Sequence, residues 1–143
     1  MEVIADSSSL IVLARLDALW LLERVFEYVA IVPEVEEETA IQGQARGYKD
    51  AERIALLVRS GKLVVVTPSS AERQLATEMV QCFTSLSHTD CLSLVCAKER
   101  KLILVMEEQR GRAVAVSEDI AYMTIQVLPH SLINKKRFCI LPF

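Results

Sequence analysis

The sequence predicts an α/β fold, a three-layer α/β/α sandwich around a central parallel sheet. Short apolar runs rich in Val, Ile and Leu recur at 3–5, 29–32, 63–66 and 102–105. None alternates with polar residues, which is the pattern of strands covered on both faces. Between the runs lie stretches with helical spacing, long enough to serve as the crossovers that parallel strands require. Such crossovers are right-handed, and the ligand site of the sheet lies past the carboxyl ends of its strands.

The elements follow in order. Val3, Ile4 and Ala5 form a strand that ends at Asp6-Ser7-Ser8-Ser9, small polar residues suited to capping the next helix. Apolar residues at 10, 13, 14, 19, 22, 25 and 26 then keep helical spacing, with a break near Asp17. A hairpin of two helices and one kinked helix both satisfy that pattern. Residues 29–32 make the second strand, and Pro33 closes it while suiting the first turn of a helix through Thr39. The stretch 42–47 holds two glycines and is expected to be a mobile loop, the chain's one internal linker. Asp50 to Arg59 is amphipathic, Ser60-Gly61 ends it, and the strand at 63–66 is stopped by Thr67-Pro68. Ser69 or Ser70 caps a helix to Phe83, Thr89 opens another to Arg100, and the strand at 102–105 ends just before Glu107 and Glu108. The tail from Ser117 carries weaker signals, with 123–128 as its candidate strand.

A chain of 143 residues with 52% apolar and 24% charged residues is expected to fold as a single domain over 1–143. The N-terminal apolar run at 9–14 stops at Arg15, far short of the roughly 20 residues that cross a bilayer. With no membrane span and no basic leader, the expected location is cytoplasmic. Cys82, Cys91, Cys96 and Cys139 form no zinc or redox spacing and are expected to be buried structural thiols. Cys91 adjoins Asp90, but neither His88 nor His130 completes a nucleophile–base motif. The net charge of −3 excludes a protein that holds nucleic acid by a broad basic face. It does not exclude a nuclease, whose carboxylates lower formal charge while bound cations restore positive potential.

Four acids stand at the ends of elements: Asp6 after a strand, Glu38 in a short helix, Asp90 in a helical first turn and Glu108 after a strand. The sheet predicts that Asp6 and the Glu107-Glu108 pair share one edge. Like charges gathered there either keep protons or take a hard cation through oxygen ligands, Mg²⁺ or Mn²⁺. Each acid also has a structural role open to it: Asp6 and Asp90 as helix caps, Glu34, Glu36, Glu37 and Glu38 as a solvated face, Glu107 and Glu108 as surface residues.

The segments around these acids resemble the PIN-domain ribonucleases, in particular their VapC-toxin-like and archaeal or bacterial branches. Ile4-Ala5-Asp6-Ser7-Ser8-Ser9-Leu10-Ile11 is similar to the family's opening strand, acid and helix. Val32-Pro33-Glu34-Val35-Glu36-Glu37-Glu38 resembles its Pro-x-Val-x-x-Glu segment, which selects Glu38. Ser87-His88-Thr89-Asp90 resembles the Ser-x-x-Asp start of the helix bearing the third acid. Residues 102–108 resemble a strand followed by Thr-x-Asp, with Met106 in place of Thr and Glu108 in place of Asp. The resemblance covers residues 2–116; the tail lacks the glycine turn that often precedes the family's last strand.

The resemblance implies a PIN-like fold and hydrolysis of RNA phosphodiesters with one or two divalent ions. Asp6, Glu38 and Asp90 are the implied metal ligands, with Glu108 completing the site. Ser7, Ser87 and Glu107 are the implied supporting groups, and Lys98, Arg110 and Arg112 the implied phosphate contacts. A small antitoxin and a second copy of the chain in a homodimer are the implied partners besides RNA. Met106 and Glu108 keep open a different class, a PIN-like binding or scaffolding module with weakened catalysis. A phosphohydrolase of another doubly wound fold fits poorly, because such enzymes place a second Asp two residues after the first and here that residue is Ser8.

Overall fold

A computed structural model of the chain describes residues 2–133. Five strands form one sheet: β1 (Val3–Ala5), β2 (Val29–Ile31), β3 (Leu63–Val65), β4 (Ile103–Val105) and β5 (Tyr122–Met123). Their order is β3-β2-β1-β4-β5 and every pairing is parallel. The strands β1, β2 and β4 are buried throughout, as their uninterrupted apolar sequences require. At the edge, β3 leaves Val64 exposed.

The helices are α1 (Ser7–Arg15), α2 (Trp20–Val25), α3 (Pro33–Glu36), α4 (Gln42–Ala45), α5 (Lys49–Arg59), α6 (Ser70–Cys82), α7 (His88–Arg100), α8 (Gln109–Ser117) and α9 (Leu128–Ile133). Two groups pack among themselves: α1, α4 and α5 in one, α6, α7 and α8 in the other. The first connections step outward from β1 to β2 and β3, and the later ones step the opposite way to β4 and β5. Right-handed crossovers therefore place the two helix groups on opposite faces, giving the three-layer sandwich.

Local chemistry accounts for the boundaries. The hairpin alternative holds at the N-terminus: α1 stops at Arg15 and Asp17 turns through a left-handed conformation, φ 55°, before α2. The expected loop at 42–47 is instead largely helical. The chain runs from α3 through a π-helical turn, Glu37–Ile41, directly into α4. Gly43 serves packing there, since a Cβ at that position would lie 2.5 Å from the Cβ of Ala51 on α5. Gly47 makes the actual turn at φ 77°. Ser69 and Glu72 cap α6 reciprocally, and Ser87 caps α7, which begins one residue before the expected Thr89.

The tail also departs from expectation. Residues 109–117 form α8, and β5 ends at Met123, so 124–128 are not strand. A 3-10 turn over Ile125–Val127 and then α9 follow, with Pro129 in the first helical turn. Cys91 and Cys96 are buried, and burial pushes their thiols up to about 11 and about 12. Cys82 is exposed, contrary to expectation, and Cys139 lies outside the described residues. Among the described residues no helix is long and apolar enough to cross a membrane.

Candidate metal centre at the carboxyl edge of the sheet

The register sets the site. Ala5 pairs with Val105, so Asp6 and Met106 leave β1 and β4 at the same level. The Asp6 amide donates to the Val105 carbonyl at 3.2 Å, and the Ser9 hydroxyl donates to the same carbonyl at 2.9 Å. These bonds close the crevice between the two strands at which the sheet reverses direction, the place where open α/β sheets bind ligands.

Asp6 is fully buried. One carboxylate oxygen accepts the Ser9 amide at 2.9 Å, the helix-cap bond, and the other accepts the Ser8 hydroxyl at 2.6 Å. Burial raises its pKa from 3.8 to about 6, with the charge of Asp90 adding to the rise and the serine hydrogen bonds opposing it. The cap expected of Asp6 and the coupling expected of a shared site are thus both present.

Glu38 reaches the same edge from the π-helical turn. Its Oε2 accepts the Ser7 hydroxyl at 2.8 Å and its Oε1 accepts the Thr89 hydroxyl at 2.7 Å. The neighbouring Glu37 makes no side-chain hydrogen bond among the described residues, so the geometry separates two glutamates that sequence spacing alone distinguished weakly. Asp90, half-buried in the first turn of α7, is the electrostatic centre. Burial raises its pKa, the charges of Glu108 and Glu38 raise it further, and hydrogen bonding to Ser87 opposes them. Ser87 itself accepts the Asp90 amide at 3.1 Å as the α7 cap.

Glu108 caps α8, its Oε1 accepting the Arg110 amide at 3.0 Å, while its charge acts on Asp90. Glu107 turns elsewhere. Its Oε1 accepts the Ile125 amide at 2.6 Å and ties the 3-10 turn to the end of β4. Arg110 and Arg112 lie at the start of α8, beside Glu108. Lys98 is not brought to this edge. It pairs with Glu118 at 2.9 Å and lines a cavity with Glu2, Leu102 and Ile103, at the amino ends of β1 and β4. Met106 does not face the site as a Thr substitute would; it is fully buried, and its sulfur occupies the space where Gly111 would carry a Cβ.

The donors gathered here are all oxygens, carboxylates backed by hydroxyls, which suit a hard cation. Among the described residues no three His, Cys, Asp or Glu side chains are already spaced as a cage. A hydrated Mg²⁺ takes one or two carboxylates and keeps several waters, so oxygen donors of this kind are the ones it would use.

Thr89, Ser8 and Ser9 carry contacts that sequence reasoning missed. The serine run is legible as capping material; the Thr89–Glu38 bond spans 51 positions and leaves no local trace.

A parallel five-stranded sheet covered by helices, with carboxylates at its switch point, is the class of α/β architecture to which PIN domains belong. The family model DUF3368, described as a PIN domain, matches residues 2–136, and the chain belongs to that family. The crystal structure of PAE2754 from Pyrobaculum aerophilum is similar in fold, with a TM-score of 0.63 at 19% identity over 93% of this chain and 97% of that one. No match was found among functionally curated proteins. PIN domains are usually nucleases, which sets the class of chemistry to consider.

Proposed function

We propose that this protein is a Mg²⁺- or Mn²⁺-dependent endoribonuclease whose ion is held by Asp6 and Asp90, with Glu38 and Glu108 at the rim. The observation that carries the reading is geometric: Ser7, next to Asp6, and Thr89, next to Asp90, both hydrogen-bond Glu38 and so tie three acid-bearing elements together at the sheet's switch point. When bound, such an ion acidifies a water and draws charge from the scissile phosphate. The chain's own residues hold the geometry. Ser8 and the Ser9 amide fix both oxygens of Asp6, and Ser7 with Thr89 fixes both oxygens of Glu38. These bonds fix the orientation of the two carboxylates, the part that supporting groups play around a metal site. Arg110 and Arg112 supply positive charge next to Glu108 for a phosphate.

Membership of a toxin–antitoxin pair and a homodimer extend this reading from the family resemblance. Exposed Leu16, Trp20 and Leu56 support a protein partner at the α1–α2–α5 surface. The alternative is a binding module with weakened catalysis, and Met106 favours it: the side chain packs in the core and carries no hydroxyl for the site.

The test is cleavage of single-stranded RNA in Mn²⁺ by the wild-type chain and by Asp6→Asn. Removing a ligand should cost more than the roughly 10- to 100-fold typical of outer-shell partners. Cleavage that survives in Asp6→Asn would overturn the site, and RNA binding without cleavage by the wild type would favour the binding module.

A further inference from the structure

We propose that the cavity beside Glu38 seats one unpaired nucleotide adjacent to the scissile phosphate, with its base against Tyr48 and its phosphates facing Arg15, Arg46 and Lys49. This subsite rests on the ribonuclease reading above and adds to it a named platform, Tyr48, for the base next to the cut.

The cavity lies between α1, the π-helical turn, α4 and α5, and encloses about 420 Å³. That volume is within the roughly 300–1,000 Å³ of small-ligand sites. Glu38 belongs both to its lining and to the carboxylate edge, so a chain lying across the metal centre passes directly into it. Its floor is apolar, formed by Ile11, Ala51 and Ile54. Tyr48 stands at its margin with 57% of its surface exposed, an aromatic face that is not packed into the core. Bases splayed from a single strand stack on such faces regardless of sequence.

Charge points the same way. Arg53, Arg73, Lys98 and Arg100 are each engaged by a carboxylate elsewhere in the molecule. By contrast, Arg15, Arg46 and Lys49 line the cavity and make no ion pair among the described residues. Asp50 and Glu38 oppose them in the same lining, leaving a small positive balance suited to singly charged phosphodiesters. A paired base stays in its helical stack and cannot lie against Tyr48, so the site takes an unpaired one. The close packing of Gly43 on Ala51 fixes the wall formed by α4 and α5, so the pocket is a built feature of the fold.

The experiment measures binding of a labelled eight-nucleotide RNA to the full chain by fluorescence anisotropy in EDTA, with a hairpin of the same composition as control. Tyr48→Ala should weaken single-strand binding about tenfold, within the range found for loss of one base stack. Tyr48→Trp should restore it, and Arg46→Ala should reduce the salt slope by roughly 0.7, one phosphate contact. Unchanged affinity in Tyr48→Ala, equal affinity for the hairpin, or no wild-type binding would each overturn the subsite. Mn²⁺-dependent cleavage by the same proteins is scored in parallel, so failure of the subsite with cleavage intact leaves the nuclease reading standing.

Discussion

Asp6 has two roles that conflict in the absence of a cation: it caps α1 and holds a buried charge. Its pKa moves from 3.8 unfolded to about 6 folded, so the native state binds the extra proton between those values. Metal-free stability should therefore be full near pH 4, fall as pH rises to 6 and level off above, with an amplitude of roughly 3 kcal/mol. Glu72, held down to about 2 chiefly by its hydrogen bond from Arg100, acts in the opposite sense below pH 4.5. Comparison with Asp6→Asn isolates the Asp6 contribution, since Asn also caps well. Urea titrations in EDTA should show a larger fall between pH 4 and 6 in the wild type than in the variant, which keeps the smaller contribution of Asp90, and Mn²⁺ should raise the wild-type midpoint far more than the variant's. Parallel pH profiles for the two proteins would refute the role. Thr89 gives a second prediction at this scale. Thr89→Val keeps the side chain's shape but frees one oxygen of Glu38, and should weaken Mn²⁺ binding by about 10- to 100-fold in calorimetric titration while Thr89→Ser retains it. Asp6 and Asp90 are legible in the sequence because acids at strand and helix ends follow from local pattern; Thr89 is not, because its partner is distant in sequence and a buried Thr in a helical turn reads as ordinary packing.

At the scale of elements, the four longer strands and the helices between them are legible because hydrophobic runs and caps are local signals. The failures have physical causes. Gly43 and Gly47 look alike in sequence, but one permits α4 to approach α5 and the other turns the chain, so a helix reads as a loop. The strand β5 has two residues, too few for any periodicity, and the Ile125 amide just beyond it is claimed by Glu107 from another element. Met106 reads as a departure from the Thr of the family pattern, yet its thioether lies against α8 at Gly111, where a Cβ would approach it to 2.1 Å. Gly111→Ala should thus destabilise the fold by about 1–3 kcal/mol through overpacking. In a Met106→Ala background the same change should cost much less, a coupling between contacting residues that thermal unfolding of the four proteins measures. Additive losses would mean that α8 rests on β4 without this contact.

For the molecule as a whole, the parallel sheet and the shared edge of Asp6 and Glu108 are legible from the alternation of strands and helices, whereas strand order is not. The order β3-β2-β1-β4-β5 puts β1 at the centre and the reversal between β1 and β4, whose carboxyl ends finish at the same level with Ala5 opposite Val105. The chain's net charge is −3, so in the proposed nuclease an RNA strand would be held by few side-chain cations together with the ion. The bases available are Arg15, Arg46 and Lys49 beside the cavity and Arg110 and Arg112 at the start of α8. Single-stranded RNA loses about 0.7 in log affinity per tenfold rise in salt for each phosphate neutralised. A strand held by three or four of these side chains should then show a slope of roughly −2 to −3. Binding titrations of short RNA across a range of salt concentrations measure it directly. A slope steeper than about −3.5 would need more cations than these five and would move the interface to another face of the protein.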